Sequence, residues 1–155
     1  MTNETILNEV LNEYDEKIIA LAQHLGLNLE VNFDAEDYET DEEKAKAIEE
    51  AKEELRQELN VIIDGYADNI FDYYGEEYEV LTDDEADDRW EEELDNYLEE
   101  CVYPELPDNM VNYFDDEAWK RDARFDGRGH SIARYDGCEN EEKVNGTWYY
   151  IYRQN

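Results

Sequence analysis

The sequence predicts an α+β fold, with acidic amphipathic helices followed by a small C-terminal antiparallel β-hairpin or sheet. Three observations predict it. Apolar residues recur at steps of three and four through most of residues 1–114, the beat of helices with one buried face. Residues 147–153, TWYYIYR, form the most strand-like run, and Asn145-Gly146 just before it suits a type I′ turn, which needs positive φ at both positions. Charge divides the chain at the same place. Residues 1–114 hold 37 acids and six bases, whereas residues 115–155 hold nine acids and seven bases. The parts 1–114 and 115–155 are expected to close on each other as one compact domain.

Taken in order, residues 3–25 read as one helix. Ile6, Leu7, Val10, Leu11, Tyr14, Ile18, Leu21, Ala22 and Leu25 form its stripe, Thr2 or Asn3 caps it, and Gly26 ends it in a left-handed conformation. Residues 27–33, LNLEVNF, alternate strictly, which fits a short half-buried strand or an extended connector. An acidic loop, 34–40, leads to a second long helix over 41–64, with Asp41 as its cap and Ile48, Ala51, Leu55, Leu59, Ile62 and Ile63 as its stripe. Tyr66, Ile70, Tyr73 and Tyr74 continue a helical pattern to Gly75, and residues 76–81 read as a link.

Residues 82–102 are the most informative stretch. They contain eleven carboxylates and one base, Arg89, yet Ala86, Trp90, Leu94, Tyr97, Leu98, Cys101 and Val102 keep one apolar face. Thr82 and Glu85 have the spacing of a capping box, and Pro104 stops the helix. Residues 108–114 allow one further turn. Asp115 or Asp116 caps a helix through Arg124 with Trp119 and Ala123 facing inward, and residues 130–135 read as a strand before the hairpin.

The formal net charge is −33, from 46 acids and 13 bases. With 41% hydrophobic and 13% aromatic residues, the chain is too apolar for a disordered acidic tail. Such a surface repels nucleic acid and anionic membranes and attracts basic surfaces. The two cysteines, Cys101 and Cys138, have no metal-type spacing and read as free thiols in a reducing cytoplasm. No secretory leader and no membrane-spanning run is legible, so the bacterial host cytoplasm is the expected location.

The helix macrodipole favours carboxylates in the first turn only. In residues 82–102 the charge continues through Asp84, Asp88, Glu91, Asp95 and Glu99 to the negative end, although like charges four residues apart cost a few tenths of a kcal/mol per pair, about 0.2–0.5. Four helical residues span about 6 Å, close to the phosphate spacing along one nucleic-acid strand. These five are the first candidates for phosphate-mimicking residues. Asp34, Glu36, Asp37, Glu42, Glu49 and Glu53 come next among the acids of the 34–58 region, with Asp64, Asp68 and Asp72 behind them.

Duller readings of the charge fit less well. A salt-adapted coat would spread acid over residues 115–155 as well. No acidic loop carries the ligand spacing of an EF-hand, so no metal site and no cofactor are expected. Catalysis is not expected either. His130 lies in GRGHS, where a turn or strand start explains it, and no nucleophile–base motif is present. Arg121, Arg124, Arg128 and Arg134 form the densest positive group, and pairing within this acidic chain is expected in preference to nucleic-acid contact.

The run NYFDDEAWKRDARF, within residues 106–127, resembles the segment near the C-terminus of ArdA-type antirestriction proteins. The matching positions are Tyr113, Asp115, Glu117, Ala118, Trp119, Arg121 and Asp122. The resemblance implies a small, very acidic protein of phages or mobile elements that mimics DNA and blocks type I restriction–modification enzymes, commonly as an elongated homodimer. More broadly, the charge pattern resembles that of acidic phage-borne inhibitors, anti-CRISPR proteins included. The expected function is therefore inhibition of a bacterial defence system by occupancy of a basic DNA- or RNA-binding surface. The expected partner is a defence nuclease, methyltransferase or CRISPR effector. The alternative is an acidic adaptor or chaperone for a basic nucleic-acid-binding protein.

Overall fold

A computed structural model describes residues 1–155. A five-stranded antiparallel sheet lies between two helical layers. One layer holds α1 (Asn3–Leu11), α2 (Glu16–Leu25) and α3 (Asp41–Leu59); the other holds α4 (Asp83–Tyr97), α5 (Asp116–Ala123) and α6 (Arg128–Ile132). The strands are β1 (Ile62–Asp64), β2 (Ile70–Tyr73), β3 (Glu76–Thr82), β4 (Asn140–Val144) and β5 (Thr147–Arg153), in spatial order β1-β2-β3-β5-β4. The α+β class is as the sequence predicts. The C-terminal hairpin is only part of the sheet, because the acidic 1–114 part supplies three strands, including the central one, β3.

Alternation along the strands sorts the two cores. Tyr78 and Val80 of β3, with Tyr149 and Ile151 of β5, face α2 and join Val10, Leu55 and Leu59 in the larger core. Leu81 and Tyr152 point to the opposite face and join Ala86, Ile132 and Ala133, flanked by Trp90 and Tyr150. β3 is buried on both faces, so it lacks the clean apolar–polar alternation of a half-exposed strand and reads poorly as one.

Several boundaries differ from expectation. The helix over 3–25 is two helices: α1 ends at Asn12, and Asp15 caps α2 by accepting from Lys17 N at 2.8 Å. Gly26, at φ +73°, ends α2 as expected. Residues 27–33 form no strand and no helix; Leu27, Leu29 and Val31 pack against the larger core. Thr40 rather than Asp41 caps α3, through a full capping box with Glu43. That helix ends at Leu59, and Ile62-Ile63 belong to β1.

Residues 66–75 are not helical. Ile70, Phe71 and Tyr73 lie in strand β2, where Phe71 is opposite Tyr78, while Tyr66 and Tyr74 stand exposed in the turns on either side. Residues 76–81 are no link but most of β3. Sparse apolar spacing imitated a helical period here, and β-branched and aromatic preference was the better guide. Residues 130–135 are not a strand, since α6 and the turn after it occupy them. Gly129 makes that possible. A Cβ there would come within 2.7 Å of Gly137 O and Glu139 N, so only glycine lets α6 sit directly on the 137–139 backbone. The hairpin is as expected, with Asn145 at φ +49° and Gly146 at φ +82°. No helix is long and apolar enough to cross a membrane.

Candidate functional site

The acidic helix α4 is the centre of the site. Thr82 accepts from Glu85 N at 3.3 Å while the Glu85 carboxylate accepts from Thr82 N at 2.9 Å, so the predicted capping box forms. Glu85 also reaches Lys17 at 2.9 Å. Burial alone would raise the Glu85 carboxyl, but the Thr82 and Lys17 hydrogen bonds outweigh it and hold it below the usual range. The α-helix stops at Tyr97, and residues Leu98–Val102 form a wider π-helical turn before Pro104.

The carboxylates of α4 divide into a paired row and a free one, and the predicted candidates fall in both. Asp83, Asp87, Glu91 and Asp95 lie four residues apart, hence along one line of α4. Against them stand Lys120, Arg124 and Arg128, also four apart. Arg128 meets Asp83 at 2.8 Å and Asp87 at 2.9 Å, Arg124 meets Glu91 at 2.5 Å, and Lys120 meets both Glu91 and Asp95 at 2.5 Å. The Lys120 ammonium is almost fully buried, and its bonds to Asp95 and Glu91 raise its pKa. The same Lys120 bond, with that of Arg124, lowers Glu91. Of the first candidates, then, Glu91 and Asp95 are tied to the chain's own cations. Asp84, Asp88 and Glu99 are exposed with no cation within 4 Å.

The second group divides likewise. Arg56 holds Glu49 at 3.3 Å and Glu53 at 3.4 Å, together with Glu13 in the turn between α1 and α2. Asp34, Glu36, Asp37 and Glu42 are exposed and unpaired; Asp34 caps a 3₁₀ turn, Ala35–Asp37, by accepting from Glu36 N at 3.0 Å. Asp64 and Asp68 are exposed beside β1, and Asp72 is half-buried and bonds Gly75 N.

The arginine group pairs internally, as expected. Arg128 also binds Glu139 at 2.7 Å, and Glu139 accepts from the buried Tyr152 hydroxyl. Arg134 and Arg121 are the loose members, 3.8 Å from Glu93 and 3.9 Å from Asp122. On the far side of α4, Arg89 is clamped between Glu93 and Glu79, the latter only 6% exposed on β3.

Sequence reasoning overlooked a cleft of about 480 Å³ between the C-terminal half of α4 and the α5–α6 segment. Tyr97 and Trp119 stack in it with ring centroids 5.5 Å apart and planes 13° apart. Against expectation, Trp119 is half-buried and lines this cleft, while Lys120 is the buried residue of α5. His130 lies at the cleft wall beside Ser131, whose hydroxyl accepts from the Trp90 indole at 3.2 Å. His130 makes no hydrogen bond to a carboxylate that would orient it as a base. Both cysteines are exposed free thiols. No three His, Cys, Asp or Glu side chains converge as metal ligands.

One legible signal for the paired row was available: bases at 120, 124 and 128 mirror acids at 83, 87, 91 and 95 in spacing. Nothing in the sequence marks the two rows as neighbours, because residues 103–115 turn the chain back only in three dimensions.

Comparison of the chain with protein families, with curated proteins and with solved structures finds no match.

Proposed function

We propose that the protein is a nucleic-acid-mimicking inhibitor of a bacterial defence system, a restriction–modification enzyme or a CRISPR–Cas effector, acting by occupying its basic DNA- or RNA-binding surface. The observation that carries this reading is the uncompensated charge on rigid, exposed elements. Only fifteen of the 46 acids lie within 4 Å of any base of the chain, leaving 31 without one. Six of the thirteen bases, Lys17, Arg89, Lys120, Arg124, Arg128 and Arg134, pair with acids of α4, whereas Asp84, Asp88, Glu99, Asp34, Glu36, Asp37 and Glu42 are exposed and unpaired. Asp84 and Asp88 lie on α4 and Glu99 on the π-helical turn after it, and Asp34, Glu36, Asp37 and Glu42 gather before and at the start of α3. Carboxylates held on helices stand in for phosphates at little ordering cost, whereas a disordered acidic tail must be ordered on binding.

An efficiency-of-plating assay tests the reading. Hosts each carrying one defence system, type I restriction or a CRISPR effector, express the protein and are challenged with a sensitive phage. Plating on at least one host should rise toward that on the defence-free strain. The triple reversal Asp84→Lys, Asp88→Lys, Glu99→Lys should lower that rescue while the protein stays folded. Rescue on no host, or rescue indifferent to the reversal, overturns the assignment. Capture of a basic protein that duplex DNA does not displace would favour the adaptor instead.

A further inference from the structure

We infer that the cleft between α4 and α5 receives an arginine side chain projecting from the protein partner. The inference rests on the reading above only in taking that partner to be basic. The aromatic wall is the starting point. Tyr97 is 53% exposed although it stacks on Trp119, so the pair presents apolar ring surface to solvent where a helix end would ordinarily cover it. A cleft of about 480 Å³ falls within the range of binding pockets, roughly 300–1,000 Å³, and is far larger than a packing defect.

The charge around that wall sets what enters. Glu93, Glu100, Asp122 and Asp126 line the cleft. Glu93 is held by Arg89, and Asp122 lies loosely beside Arg121, but Glu100 and Asp126 have no cation of the chain within 4 Å. Phosphate-bearing ligands are repelled, and no set of three ligands converges for a metal ion. A cation with a flat face suits both features. Guanidinium stacks on an aromatic ring and forks toward carboxylates, whereas ammonium is a compact, strongly hydrated point charge. The π-helical turn at Leu98–Val102 carries Glu100 at the cleft's lower end, and such turns are frequent at functional sites. Arginine, tyrosine and tryptophan are also the residues that dominate protein–protein hot spots, where they fill desolvated pockets near the interface centre.

The full chain, labelled with ¹⁵N, is titrated with the capped tripeptide acetyl-Gly-Arg-Gly-amide while the indole N–H resonances of its three tryptophans are followed. The Trp119 resonance should move to saturation and that of Trp148, on β5, should not. Acetyl-Gly-Lys-Gly-amide should bind several-fold more weakly. Asp126→Asn and Glu100→Gln should each weaken the arginine peptide several-fold, while Glu141→Gln, an exposed position on β4, leaves it unchanged. Tyr97→Leu should lose a factor of about two to five on the Trp119 resonance, with spectral dispersion showing that the variant is folded. Equal affinity for the two peptides, or equal sensitivity to Glu141→Gln, would mean diffuse attraction to the acidic surface and overturns the assignment. A Trp119 resonance that does not move overturns it too, as does a homodimer, seen by sedimentation, whose formation Tyr97→Ala abolishes. No partner is needed here, so this test and the plating assay fail independently.

Discussion

Arg89 is the one base in a helix of carboxylates, and its place is set by burial. Its guanidinium fills the gap between α4 and the sheet and meets Glu79 at 3.0 Å. Burial pushes the Glu79 carboxyl above its ordinary value of 4.5, and the attraction of Arg89 only partly opposes this. Removing one partner of a buried pair leaves an uncompensated charge, which costs about 3–5 kcal/mol. Arg89→Ala should therefore lower the unfolding free energy by roughly 3 kcal/mol at pH 7 in a urea titration, and adding Glu79→Gln to it should recover most of that loss. A neutral-to-acid pH series adds a signed test. A carboxyl raised in the folded chain keeps its proton to higher pH than in the unfolded chain, so Glu79 adds stability as pH falls from neutral toward 4.5. Glu16, Glu85 and Glu91 are lowered in the folded chain, so their contribution is full above 4.5 and is lost as pH falls below it. The midpoint urea concentration should pass through a maximum near or slightly above that pH, and Glu79→Gln should shrink the neutral limb while leaving the acid limb.

At the scale of elements, the clamp on α4 is a pair of matched rows, and matched rows back one another up. Lys120 keeps a partner when either Glu91 or Asp95 is neutralised, so Glu91→Gln and Asp95→Asn should each cost under about 1 kcal/mol, as for partly exposed pairs. The double variant strands a nearly buried ammonium and should cost clearly more than the sum, by about 0.5–3 kcal/mol of coupling, read from the same urea titrations. Additive losses would show that the row is ornamental. The rows also mark how far the sequence could be read. Periodicity and caps placed α4, α5 and the Asn145-Gly146 hairpin because those signals are local. Strands β1 to β3 were read as helix and link because β3 is buried on both faces and its pairing partners lie on both sides of it, one near in sequence and one at the C-terminus. The candidate row was legible as charge, but its division into clamped and free members was not, since that depends on α5 and α6 crossing α4.

At the scale of the whole molecule, the same surplus of carboxylates acts twice, with opposite dependence on salt. Within the chain, 46 acids against 13 bases repel one another, and exposed charges more than a Debye length apart stop interacting as ions are added. That length is about 30 Å at 0.01 M and about 8 Å at 0.15 M. Raising sodium chloride across this range should therefore raise the melting temperature. Between chains, the proposed function has the carboxylates attract a basic groove that also binds phosphates, and binding that replaces phosphate contacts weakens steeply with salt. Inhibition of a purified target nuclease should fall across the same range in which thermal stability rises. The free row separates the two effects. Asp84→Asn, Asp88→Asn and Glu99→Gln together remove three unpaired charges and touch no ion pair of the fold, so they should leave the protein as stable as before or slightly more so. They should also make the inhibition constant less sensitive to salt. Neutralising Asp83 and Asp87 instead leaves Arg128 with Glu139 alone and should lower stability more than inhibition. An inhibition constant that keeps its full salt slope after the first set, measured on folded protein, would place the contact surface away from α4, on the acids that lead into α3.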